Sequence, residues 1–329
     1  MKQKLKNFNI IIASTALIMA SCGNSEQYVK TEGMIWNTIY HITYKGPASL
    51  QDSILPVLNE VGHSLSVFEE SSLVSQLNRN DSVKGDRHLL SVYAASKKIN
   101  QTSNGTFDPT VSPLVDAWGF GKGHKATADT IALDSIMEFV GFCKTQQRGE
   151  FIVKNDPRIQ FNFSAIAKGY GSDAVGEMFK RNGVTDYMVE IGGEIAMMGK
   201  SPSSSPWKIA IDAPVEGKNP GEETAMILSL TDCGLATSGN YRNYREEREG
   251  KVAHTISPVT GRPFIGEILS ATVIASTCME ADALATACMA SSPENAKKLL
   301  NKTGTEGLLI FSDSIWTSPG LDKYIADPE

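Results

Sequence analysis

The chain has 329 residues, 41% hydrophobic and 21% charged, with a formal net charge of −6. A chain of this length buries a core without disulfide staples. Its negative balance excludes the broad basic field that holds nucleic acid.

The first 21 residues stand apart. Lys2, Lys4 and Lys6 precede an apolar run from Ile10 to Ala20, closed by Ser21 and Cys22. This is the layout of a signal peptide and is too short for a bilayer span with its own flanks. Met19-Ala20-Ser21-Cys22 resembles a lipobox, so a lipid anchor is expected on Cys22. Removing the three lysines moves the net charge from −6 to −9. The expected organisation is a signal peptide over 1–21, a polar tether over 22–30 and one domain over 31–329.

Ile39 to Tyr44 is rich in β-branched and aromatic residues and predicts a strand. Ser49 to Phe68 places Ile54, Leu55, Leu58, Val61 and Leu65 at helical spacing. His88 to Thr102 predicts a second helix, stopped by Ser103-Asn104-Gly105. Phe151-Ile152-Val153 and Ile159 to Phe163 predict paired strands around an Asn155-Asp156-Pro157 turn. A third helix is expected over about Ala165 to Asn182, ended by Gly183, followed by a strand over Tyr187 to Ile191. Trp207 to Ile211, Ala225 to Leu230, Ile268 to Ala275 and Gly307 to Phe311 predict further strands. Asp282 to Ala290 and Pro293 to Leu300 predict late helices. Strands and helices are interspersed without a βαβ repeat, which gives an α+β class.

Cys143, Cys233, Cys278 and Cys288 lack C-x-x-C spacing, so no zinc ribbon or thioredoxin site is expected. Their apolar or small neighbours favour buried free thiols, with a disulfide left open. There is no H-x-x-H or H-E-x-x-H, which disfavours a zinc hydrolase.

Several segments carry chemistry. Ile166-Ala167-Lys168-Gly169-Tyr170 opens a helix, where free N–H groups suit anions and Lys168 adds a charge; a first-turn lysine is also commonly just solvated. Gly192-Gly193-Glu194 allows either a tight turn or a close backbone approach to a ligand. Gly105 to Thr110 and Trp118-Gly119-Phe120-Gly121 interleave aromatics with glycine, as core with turns or as a slot for a flat ring. His254 lies in a strand-like run that ends in a turn. In Ala281-Asp282-Ala283-Leu284-Ala285-Thr286, Asp282 and Thr286 are one helical turn apart and share a face. A carboxylate with a hydroxyl suits Mg²⁺, which takes few protein ligands. Taken alone, an aspartate near a helix start is more often a cap.

Taken in order, these segments resemble the ApbE family, the FAD:protein FMN transferases. The resemblance runs from about Gly33 to the end of the Asp282 helix. It includes Pro113-Leu114-Val115, Glu190-Ile191-Gly192-Gly193-Glu194, Thr237-Ser238-Gly239-Asn240-Tyr241 and His254-Thr255-Ile256-Ser257-Pro258. It implies mixed or antiparallel sheets with helices packed around a flavin cleft. It implies Mg²⁺ on Asp282, Thr286 and the Ala165 carbonyl, with Asp282 and His254 catalytic. It implies FAD contacts at Trp36, Phe68, Thr106, Phe107, Asp108, Asn162, Lys168 and Ile256. The implied partner is an acceptor protein with a Thr/Ser motif, a membrane redox subunit facing the periplasm, and lipoprotein members of the family agree with Cys22. Two positions differ from the family pattern: Trp36-Asn37-Thr38 stands for Met-Gly-Thr, and Asn162 for an aspartate. The implied reaction moves FMN from FAD to a hydroxyl and releases AMP. The rival readings are an FAD pyrophosphatase and a flavin-binding lipoprotein without turnover.

Overall fold

The computed structural model describes residues 27–121, 130–215, 217, 221–239, 244–247, 250–253, 255–264 and 266–326. The signal peptide, Cys22 and His254 lie outside the described residues.

One antiparallel sheet organises the fold. Its strands are β1 (Tyr28–Ile35), β2 (Thr38–Lys45), β5 (Tyr187–Ile191), β6 (Glu194–Met198), β9 (Cys233–Gly239), β12 (Ser270–Ala275), β13 (Glu306–Ile310) and β14 (Ile315–Thr317), in the order β1-β2-β5-β6-β9-β12-β13-β14. Smaller two-stranded sheets are β3 (Thr145–Arg148) with β4 (Phe151–Lys154), β7 (Trp207–Asp212) with β8 (Thr224–Leu230), and β10 (Tyr244–Glu247) with β11 (Gly250–Ala253). The described helices are α1 (Gln51–Leu65), α2 (Leu73–Asn78), α3 (Arg87–Thr102), α4 (Ser112–Ala117), α5 (Thr130–Met137), α6 (Ser164–Arg181), α7 (Cys278–Met289) and α8 (Pro293–Thr303). The expected α+β class holds.

The alternation of side chains along the strands creates two layers. Ala271, Val273 and Leu309 face α7 and the main core. Ile274, Leu308 and Ile310 face the other way, onto Trp207, Ile209, Ile211, Leu228 and Leu230 of the β7–β8 sheet. Helices α6 and α7 lie against each other on the first face. Small residues make that contact possible: a methyl on Gly169 of α6 would lie 2.4 Å from the Cys278 carbonyl oxygen and 2.8 Å from Asp282 Cβ. Gly234 of β9 plays the same part beneath, where a Cβ would be 2.1 Å from the Cys278 nitrogen.

Four expectations need correction. Residues 28–30 are not tether: Tyr28 pairs with Lys45 at the start of β1. Residues 159–163 form no strand, and β4 pairs instead with β3. Asn78 explains this, because its side chain donates to the Phe161 carbonyl at 2.9 Å and accepts the Phe161 N–H at 2.7 Å. Those bonds replace a ladder while Phe161 and Phe163 stack in the core, ring centroids 5.5 Å apart. Cys143 is exposed and Cys233 half-buried, so only Cys278 and Cys288 are buried thiols; all four are free. Helix α7 begins earlier than expected, with Thr277 capping it by accepting the Glu280 N–H at 3.2 Å. Asp282 therefore sits inside the helix and does not cap it.

Candidate active site

A cavity of about 1440 Å³ opens between α1, the Thr106–Phe120 segment, the start of α6, the Gly192-Gly193 turn, β9 and α7. Single-ligand sites typically span roughly 300–1,000 Å³, so there is room for a dinucleotide and an incoming group. Trp36, Phe68, Thr106, Phe107, Asp108, Asn162, Ala165, Lys168, Ile256, Asp282 and Thr286 all line it. Residues scattered over 250 positions of sequence thus meet on one surface.

Asp282 lines the cavity from α7. It is 3% exposed. Its Oδ2 accepts the Gly169 N–H at 3.0 Å, which the absence of a Gly169 side chain permits. Its Oδ1 has no hydrogen-bond partner among the described residues. Burial pushes the Asp282 carboxyl above its ordinary value; the Lys168 charge and the Gly169 N–H pull the other way. Thr286, one turn on, lies with its hydroxyl 3.4 Å from Ser238 Oγ. Asp282, Thr286 and Ala165 all line the same cavity.

Lys168 points across the cavity wall to Glu194, Nζ to Oε2 at 2.6 Å. Burial alone would lower the Lys168 ammonium, but Glu194 and then Asp282 hold it above the ordinary lysine value. Glu194, 3% exposed, is pushed up by its burial, opposed by Lys168 and reinforced by Asp282. The turn before it has φ of 62° at Gly192 and 100° at Gly193, conformations that suit glycine. The Gly193 N–H donates to Glu190 Oε1 at 2.6 Å. The Gly-Gly pair is a tight turn that lines the cavity.

The opposite wall is apolar and partly strained. Trp36 and Asn37 form the two-residue turn joining β1 to β2, with φ of 49° and 61°. Such a turn requires left-handed backbone at both positions, a cost of roughly 1–2 kcal/mol for a residue with a side chain. Packing holds Trp36 there. Its indole is wedged between Gly62 and Gly171, where a Cβ would fall 2.7 Å from Nε1 and 2.6 Å from Cη2 respectively. Phe68 is 69% exposed at the mouth. Ile256 and Phe107 are buried.

Two expected contacts have structural work as well. Asp108 accepts from the Thr110 N–H and hydroxyl, the Phe142 N–H and the Asn100 amide. Burial raises its carboxyl and those bonds oppose the rise. Asn162 accepts the Ser164 N–H at 2.9 Å, ordering the entry to α6, while its own N–H donates to the Pro109 carbonyl at 2.7 Å. Trp118 does not reach the cavity; its indole N–H donates to the Gly261 carbonyl at 2.8 Å. Glu194 and Ser238 lay in segments singled out by sequence, but their place on the cavity wall was not foreseen. Among the described residues no group of three or more His, Cys, Asp or Glu could hold a metal ion unaided.

The fold and this wall define an α+β protein with a dinucleotide-sized cavity lined by the buried carboxylates of Asp282 and Glu194. The chain belongs to the ApbE family, whose model matches residues 36–309. It is 32% identical to a Vibrio cholerae FAD:protein FMN transferase, covering 97% of each chain. A Haemophilus influenzae FAD:protein FMN transferase is also 32% identical, over 92% of each. Among solved structures, the flavin transferase ApbE from Vibrio cholerae superposes with a TM-score of 0.81 at 29% identity, over 91% of this chain and 99% of that one. The apo flavinyl transferase ApbE from Pseudomonas stutzeri does so with a TM-score of 0.81 at 27% identity, over 90% and 96%.

Proposed function

We propose that this protein is an FAD:protein FMN transferase that uses Mg²⁺ to move FMN from FAD to a serine or threonine hydroxyl of a partner protein, releasing AMP. The observation that carries the reading is the buried Asp282 carboxylate with one oxygen left without a partner on the wall of a dinucleotide-sized cavity. An ionised carboxylate at such a depth is costly unless a cation or a donor completes it. The donor set fits a hard cation: the Asp282 oxygen, the Thr286 hydroxyl and the Ala165 carbonyl are all oxygen ligands. When bound, Mg²⁺ supplies charge neutralisation for a diphosphate.

The chain's own residues supply the rest. Lys168 brings a held positive charge near Asp282, suited to a phosphate oxygen. The Gly192-Gly193 turn lets backbone approach the substrate closely. Trp36, Phe107 and Ile256 offer apolar surface to flat rings. The acceptor hydroxyl forms the new oxygen–phosphorus bond at the FMN phosphate as the phosphoanhydride bond to AMP breaks. Its proton must leave during the attack, since an alcohol is not ionised at neutral pH, and His254 is assigned to take it on the family resemblance. The leader sequence supports a lipid-anchored protein at Cys22 in the periplasm, with membrane redox subunits as acceptors. Among the described residues no helix is long and apolar enough to cross a membrane.

The test is mass spectrometry of an acceptor bearing a Thr/Ser flavinylation motif after incubation with FAD and Mg²⁺. A covalent FMN adduct with equimolar AMP is the expected result. FMN and AMP released at the same rate without acceptor would replace transfer by hydrolysis. FAD bound with no AMP formed at any Mg²⁺ concentration would leave only flavin binding.

A further inference from the structure

We propose that Glu194 is a positioning residue that holds the Lys168 ammonium off Asp282, keeping the free Asp282 oxygen open to a divalent cation. The inference rests on the cation-dependent reading above and adds to it a residue that reading does not require.

Two buried carboxylates compete for one ammonium. Lys168 is adjacent in sequence to Gly169, whose N–H is bonded to Asp282. Both Asp282 and Glu194 act on the Lys168 charge. The hydrogen bond goes to Glu194, at 2.6 Å. Were Glu194 absent, Asp282 would be the nearest anion, and an ammonium on it would fill the position a cation needs.

Glu194 is built to hold its ground. It is the first residue of β6, paired with Ile191 across the Gly192-Gly193 turn. The Ser172 hydroxyl of α6 donates to its carbonyl oxygen at 3.0 Å, tying the strand end to the helix that carries Lys168. A buried ion pair is weak as a source of stability, because desolvating both partners offsets their attraction. Its place in the cavity wall points instead to charge arrangement. With the Lys168 ammonium held on Glu194, Asp282 keeps only its bond from the Gly169 N–H.

The test is uptake of Mn²⁺ by the full chain, with free Mn²⁺ read by electron paramagnetic resonance and no FAD present. Glu194→Gln should weaken Mn²⁺ binding by roughly 10- to 100-fold, the usual effect of losing a group that supports a metal ligand. Lys168→Met should bind Mn²⁺ as tightly as the wild type or more so. The double variant should recover the affinity of Lys168→Met, since Glu194 has nothing left to restrain. A Glu194→Gln variant that matches the wild type overturns the inference. So does a double variant as weak as Glu194→Gln alone. If Glu194→Gln does not fold, Lys168→Met decides by itself, because weakened Mn²⁺ uptake there contradicts competition. Wild-type protein that takes up no Mn²⁺ removes the cation-dependent reading together with this one; wild-type uptake lost in Asp282→Asn but unaffected by Glu194→Gln removes only this one.

Discussion

Replacing Gly169 by alanine tests the packing that places the active-site carboxylate. The added methyl would lie 2.4 Å from the Cys278 carbonyl oxygen, 2.7 Å from its carbon and 2.8 Å from Asp282 Cβ. Two of those atoms are backbone, so no side chain can rotate away and α7 must shift. Overpacking costs about 1–3 kcal/mol. Displacing α7 also stretches the bond from the Gly169 N–H to Asp282, and hydrogen bonds to charged groups contribute about 1.5–3 kcal/mol. Alanine's better helix propensity returns about 1 kcal/mol. The net is a destabilisation of about 1.5–5 kcal/mol, read as a lowered urea midpoint at unchanged slope. Transfer activity should fall with it, as Asp282 moves. Gly171→Ala is the contrast: its nearest neighbours are Trp36 ring atoms at 2.6 and 2.8 Å, side-chain rather than backbone atoms. It should cost less stability but disturb flavin binding at the Trp36 wall. A Gly169→Ala protein with the wild-type midpoint would show that the α6–α7 contact is looser than described, and the placement of Asp282 would lose its support.

Asp282→Asn should abolish AMP formation while the chain stays folded, because an amide of the same shape can still accept the Gly169 N–H; unchanged AMP production measured by chromatography would reject the assignment. Asp173 gives a pH signature. It is pushed up to about 6 by burial, although it accepts the Met279 and Cys278 N–H groups at the α7 start. The folded state then binds its proton more tightly than the unfolded chain, so stability present at low pH falls as pH rises from about 4 to about 6. A shift of roughly two units corresponds to on the order of 3 kcal/mol. Urea midpoints of Asp173→Asn against wild type should diverge across that interval, and parallel curves would contradict the assignment.

Much of the scaffold was legible because its periodicity is clean. α6 was expected over Ala165 to Asn182 and spans Ser164–Arg181, and β5 matches its expected bounds. α1 has the expected stripe of Ile54, Leu58, Val61 and Leu65, although Leu55 points outward. Among the strands that escaped, β6 and β9 lack a clean alternation. In β6, four successive residues of Glu194-Ile195-Ala196-Met197-Met198 are buried, so there is no alternation to detect. β9, Cys233 to Gly239, is made of small residues that let α7 approach. The site was legible in its members but not in their linkage. A glutamate after two glycines reads as part of a turn, and nothing local reveals that its side chain turns inward to meet a lysine 26 positions earlier. Asp282 could equally have been a cap until Thr277 was seen in that role.

The same arrangement predicts that the cation stabilises the fold. Helix α7 is buried along most of its length, with Ala281, Ala283, Leu284, Ala285 and Ala287 fully enclosed. Into that apolar setting the sequence inserts a carboxylate with one satisfied oxygen. Its desolvation is a cost the folded state carries, and a ligand that binds only the folded state relieves it by mass action. At a concentration 100 times its dissociation constant such a ligand adds about 2.7 kcal/mol. Mg²⁺ or Mn²⁺ should therefore raise the melting temperature of the flavin-free protein, and a chelator should reverse the rise. Asp282→Asn should melt at or above the temperature of metal-free wild type, because it removes a buried charge, and should not respond to either ion. Equal responses in wild type and variant would mean that the cation acts elsewhere on the surface. No response in either would mean that the free Asp282 oxygen waits for the substrate rather than for a metal.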